Sequence, residues 1–125
     1  MPKLTITSRE MKKFRALDPA WYPFKIESIN TKPAKTDGST NYVVRYIGTG
    51  PNNDGAEVTE YYNEKTPTRW VPLLSAITKK DIDPEADLDF DYDELVGKSI
   101  QIYITNEMYA GTMRNHVGEI GPAEA

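Results

Sequence analysis

Ile100, Ile102 and Ile104 occupy every second position of the stretch from Lys98 to Thr105, and a chain that repeats a two-residue period in several short segments is committed to half-buried β-strands. The same alternation runs from Trp21 to Ile29, with Tyr22, Phe24 and Ile26 on one side and Trp21, Lys25 and Glu27 on the other. It returns from Asn41 to Ile47, where Tyr42, Val44 and Tyr46 alternate with Val43, Arg45 and Ile47, then from Glu57 to Tyr62 and from Thr112 to Ile120. Pro23 puts the beginning of the first strand at an edge or a bulge, because proline cannot donate to a ladder. Gly50-Pro51 and Asn53-Asp54-Gly55 read as the reversal between the second and third strands. One segment has a different period. Trp70, Leu73, Leu74 and Ile77 share a helical face opened by Thr66-Pro67-Thr68, with Thr66 or Thr68 as its cap, Pro72 in its opening turn, and Lys79 and Lys80 against its dipole.

Three strands, a helix and two strands make the order of an all-β OB-fold, a five-stranded Greek-key barrel plugged by a helix between strands 3 and 4. A five-stranded α+β sandwich is the rival arrangement. A chain of 125 residues, 38% hydrophobic, holds one modest core. The expected division is a basic arm over residues 1–20, the barrel over 21–121 with an acidic connection at 81–94, and a short tail at 122–125. No apolar run approaches the roughly 20 residues that span a bilayer, and the start lacks a secretory stretch, so a cytoplasmic protein is expected.

The net charge of −4 conceals an uneven distribution. Residues 81–94 carry eight acids and no base, leaving 15 basic against 11 acidic residues elsewhere. The body is therefore weakly cationic, and Lys3, Arg9, Lys12, Lys13 and Arg15 concentrate that charge in the arm. From Asp81 to Asp93 an acid stands at every odd position, an arrangement suited to a basic partner, to competition for the protein's own anion-binding groove, to calcium, or simply to a solvated connection. The calcium reading is the weakest, since the turn glycine and closing glutamate of an EF-hand loop are missing at the required offsets.

Cysteine is absent and His116 is the single histidine, which excludes disulfides, thiolate metal sites and a cysteine nucleophile. His116 reads as a hydrogen-bonding surface residue, and an enzyme reading has no residues to rest on. No metal or cofactor is expected. Aromatic residues are the conspicuous excess: thirteen, eight of them tyrosine, several alternating with polar neighbours. Trp21, Tyr42, Tyr46, Tyr61, Tyr62, Tyr103 and Tyr109 lie on or beside strands. Rings on a sheet surface can stack unpaired bases at about 1–3 kcal/mol each, with nearby cations following the phosphates. Tyrosine is also an ordinary occupant of half-buried strands. Parity turns Tyr103 away from the isoleucine face, sends Tyr61 outward with Val58 and Tyr62 inward, and puts Arg45 opposite the core. Trp70 belongs to the core stripe. The candidate nucleic-acid-binding residues are Lys25, Arg45, Tyr61, Lys98, Tyr103, Tyr109 and Arg114; a protein–protein adaptor with an aromatic interface is the alternative.

Trp21-Tyr22-Pro23-Phe24-Lys25-Ile26, Tyr42-Val43-Val44-Arg45-Tyr46, Leu95-Val96-Gly97-Lys98 and the stretch from Tyr109 to Val117 resemble segments of bacteriophage OB-fold single-stranded DNA-binding proteins, over roughly residues 20 to 120. The resemblance implies a replication or recombination accessory that binds and protects single-stranded DNA without sequence preference and assembles along it. Proteins of this kind commonly end in an acidic tail that recruits partners. Here the end, Gly121 to Ala125, has one acid, so the expected docking surface for phage or host replication proteins is the internal segment 81–94.

Overall fold

The computed structural model describes residues 3–13, 15–80, 82, 85 and 89–123. Five antiparallel strands form one sheet: β1 (Ala20–Pro33), β2 (Thr40–Gly48), β3 (Glu57–Asn63), β4 (Ser99–Tyr109) and β5 (Thr112–Pro122), in the spatial order β3-β2-β1-β4-β5. The sheet is not closed into a barrel. Helix α1 (Ser8–Lys13) precedes it, and α2 (Val71–Thr78) lies between β3 and β4, so each periodic segment carries its expected element, although β1 runs past Ile29 to Pro33 and β4 past Thr105 to Tyr109.

Strand β1 is the hub. Ala20 to Lys25 pair with β4, Phe24 to Pro33 pair with β2, and the register slips between Ile26 and Ser28, leaving Glu27 as an extra residue. Such a bulge bends and twists a strand and reverses its parity. Phe24 and Ile26 on one side of the slip and Ile29 on the other are thus all buried. Pro23 is tolerated because its carbonyl side looks past the end of β2: that oxygen accepts from the Thr49 amide at 3.1 Å and the Asn53 side chain at 2.7 Å, and no β2 ladder bond is lost.

The core joins Phe24, Ile26, Val44, Tyr46, Val58, Tyr62, Ile100, Ile102 and Ile104 to Trp70, Leu73 and Leu74. Tyr46 and Tyr62 can be buried because their hydroxyls are satisfied. Each donates to Glu60 Oε1, at 3.2 and 2.6 Å, and the two oxygens lie 3.3 Å apart. Burial, reinforced by the Glu60 carboxylate, pushes both phenols above their ordinary range.

Two local readings need correction. Neither Thr66 nor Thr68 caps α2; the chain enters it through a 3₁₀ turn, Pro67–Trp70, and Thr66 Oγ1 instead donates to the Asn63 carbonyl. The arm, expected as a basic stretch, contains α1. Its signal is the Thr7-x-x-Glu10 spacing at the helix start, where the Glu10 amide donates to Thr7 Oγ1 as a side-chain cap and that hydroxyl donates to the Glu10 carboxylate.

The β2–β3 connection is held by Asn53, which is fully buried: its Oδ1 accepts the Gly50 amide at 2.8 Å while Nδ2 holds the Pro23 carbonyl. Gly48 passes so close that a Cβ there would lie 1.9 Å from the Asn53 carbonyl oxygen. The β1–β2 loop is pinned differently. Lys65 donates to Asp37 Oδ2, and the Ser39 amide and hydroxyl to Oδ1, which together hold the Asp37 carboxyl far below its ordinary value of 3.8.

Replacing Asn53 with Ala leaves the Gly50 amide and Pro23 carbonyl short of partners, so urea denaturation should show a loss of about 2 kcal/mol; an unchanged midpoint would mean that water replaces the side chain without cost. Asp37 stabilises the fold above its unfolded pKa, and this contribution disappears as pH falls toward the depressed folded value. Asp37→Asn should therefore be less stable than wild type at pH 7, with the difference shrinking in thermal melts below about pH 4.

Candidate functional site

Register decides which side chains share the face opposite the core. On β1 and β4 the cross-strand pairs Trp21 with Tyr103, Pro23 with Gln101 and Lys25 with Ser99 point outward, because the intervening Tyr22, Phe24, Ile100 and Ile102 point in. After the bulge, Ser28 lies opposite Arg45, and Arg45 in turn opposite Thr59. Val43 pairs with Tyr61, so Arg45 and Tyr61 are diagonal neighbours on one face, within reach of long side chains. Lys25, Arg45, Tyr61 and Tyr103, four of the candidate residues, therefore share a single surface.

Their environments differ. Tyr61 is 53% exposed and available to a ligand. Tyr103 is half-buried: its ring meets that of Trp21 edge to face, with centroids 5.6 Å apart. Trp21, absent from the seven candidates although its parity is legible, is the more accessible ring of the pair at 45%. Gly121 permits this arrangement, since a Cβ there would lie 3.2 Å from Trp21 Cζ3. Lys25 follows Trp21 by four residues, about 13 Å along the strand.

The two edge strands face one another across a cleft of about 350 Å³, lined by Thr59 and Tyr61 of β3 and Met113, Arg114 and Asn115 of β5, with Glu57 at one end. Tyr61 and Arg114, more than fifty positions apart in sequence, both line this cleft. Arg114 is exposed and lies across the ladder from Glu107. Glu57 in the cleft and Glu119 opposite Tyr103 interrupt the positive charge of the face, so aromatic contact carries more of any binding here than a continuous basic groove would require.

Lys98 and Tyr109 stand apart from this group. Lys98 precedes β4 with the parity of Ile100 rather than of Lys25, is exposed, and uses its carbonyl to accept the Ile26 amide at 3.0 Å. Tyr109 is the last residue of β4, opposite Thr112, and its side chain lies outside the described residues. His116 is a surface residue as expected, with Nδ1 3.2 Å from Glu107 Oε2.

Much of the acidic strip, including Asp81, Asp83 and Asp87, lies outside the described residues. Its described end sits against the helix side of the core: Phe90 tilts onto Trp70 at 5.2 Å and Tyr92 onto Tyr42 at 5.2 Å. Asp89, Asp91, Asp93 and Glu94 are exposed there, and Asp91 accepts the Asp93 amide to start a 3₁₀ turn, Tyr92–Leu95. Among the described residues, no group of three or more histidines, aspartates or glutamates is placed to hold a metal ion, and no helix is long and apolar enough to cross a membrane.

Chemically, the outward face offers rings and cations at strand spacing. No protein-family model matches the chain, and no curated protein does.

Proposed function

We propose that the chain is an OB-fold protein that binds single-stranded DNA without sequence preference, stacking bases on Tyr61, Trp21 and Tyr103 and placing phosphates near Lys25, Arg45 and Arg114. The fold reading is supported by a long bulged first strand that ladders with both β2 and β4, by a helix between β3 and β4, and by edge strands β3 and β5 that face each other over a shared cleft. The functional reading is carried by one observation: parity brings rings and cations from β1, β2, β3 and β4 onto the same surface while the core claims the opposite one. A role in phage replication or recombination, in the host cytoplasm, follows from the resemblance noted in the sequence. The exposed acids of residues 89–94 are then the surface for a basic replication partner, away from the DNA face.

Tyr61→Ala should weaken binding of a mixed-sequence oligonucleotide by about 1–3 kcal/mol in fluorescence anisotropy. Arg45→Ala should lower the slope of log affinity against log salt by about 0.7, one phosphate contact on a single strand. Both residues are exposed, so thermal midpoints should stay near wild type. Oligonucleotide binding that ignores both substitutions and salt would reassign the face to a protein partner.

A further inference from the structure

Beside the outward face lies a second hollow, of about 480 Å³, inside the roughly 300–1,000 Å³ range of small-ligand sites. One wall is the arm, Arg15 to Asp18; the other is the β2–β3 loop, Gly50 to Asn53; Trp21 and Pro23 form the floor. Both walls are fixed by amide side chains. Asn115 Oδ1 accepts the Leu17 amide at 2.8 Å and its Nδ2 donates to the Arg15 carbonyl at 2.8 Å, while Leu17 itself is buried in the core. On the opposite wall the buried Asn53 ties the loop to β1, and Tyr22 donates to the Asp18 carbonyl at 2.7 Å to close the corner. The hollow is thus preorganised by residues far apart in the chain, and an aromatic, a basic and an amide residue, Trp21, Arg15 and Asn52, all exposed, line it.

From this geometry we infer that the hollow is a nucleotide subsite, receiving one unstacked base against Trp21, with Asn52 on the base edge and Arg15 on the adjoining phosphate. The inference rests on the single-stranded DNA reading and adds a discrete pocket to it. Asp18 lines the same space and disfavours a phosphate at its own end, which assigns the phosphate to the Arg15 end and leaves the carboxylate to accept from a base N–H such as the thymine N3–H. Such a subsite gives the strand a fixed point of attachment beside a face that is otherwise tolerant of position.

A 5′-phosphorylated thymidine dinucleotide is the probe, read by intrinsic fluorescence. Trp70 is only 4% exposed, so saturable quenching reports Trp21. The full chain should bind the dinucleotide, Arg15→Gln should weaken it roughly tenfold through the lost charged contact, and thymidine without phosphate should bind Arg15→Gln and wild type alike. If a mixed-sequence 20-mer binds but the dinucleotide leaves fluorescence unchanged, or if Arg15→Gln binds the dinucleotide as wild type does, the subsite is overturned and the sheet face stands. Failure of both probes would overturn the face along with the subsite.

Discussion

A strand of fourteen residues that ladders with one neighbour along its first half and with another along its second cannot remain flat, and the rest of this structure depends on how β1 bends. The bend is made at Glu27. With strict alternation from Phe24 and Ile26, Ile29 would face solvent and Ser28 the core; the extra residue exchanges them. Gly97 completes the turn from outside the sheet, donating to the Ile26 carbonyl at 2.8 Å from a backbone at φ 89°, where a side chain would be strained. A related slip occurs on β5 at Gly118, which lets Ile120 and Val117 both face inward against Ile102 and Ile104.

That curvature brings the edges β3 and β5 toward each other, and the arm runs across the same region of the molecule. It is tied to β5 through Asn115, and α1 is tied to the β2–β3 connection by an ion pair between Lys12 and Asp54 at 3.1 Å. Exposed pairs of this kind contribute little on their own, about 0–1 kcal/mol. The buried Leu17 is the firmer anchor. The arm therefore serves as a strap across the open side of the sheet and as one wall of the hollow at Trp21.

The tyrosines illustrate how the same residue type is divided between packing and surface. Tyr46 and Tyr62 are core residues whose hydroxyls share Glu60; Tyr42 and Tyr92 pack edge to face beside Trp70; Tyr61 alone among these stands largely in solvent. Adjacent residues of one strand, Tyr61 and Tyr62, thus have opposite fates, as the two-residue period requires. Tyr103 shows the limit of parity. It faces outward as expected, but Trp21 from the neighbouring strand covers part of it, so facing outward and being fully exposed differ.

The sequence alone determined the five strands, the presence of a helix between the third and fourth, and the inward or outward direction of most strand side chains, because periods of two and 3.6 residues are properties of the local backbone. It also marked the rings and cations from which the proposed DNA face is built. Only the tertiary structure decided that Tyr61 and Arg114 share a cleft, that Lys98 stands off the common face, that the described end of the acidic strip lies against Trp70, and that Asn53 and Asn115 fix two walls around Trp21. Those facts depend on register, on the two bulges and on which distant strand supplies a partner. An asparagine that closes a pocket and one that merely fills a loop look alike until the chain has folded around them.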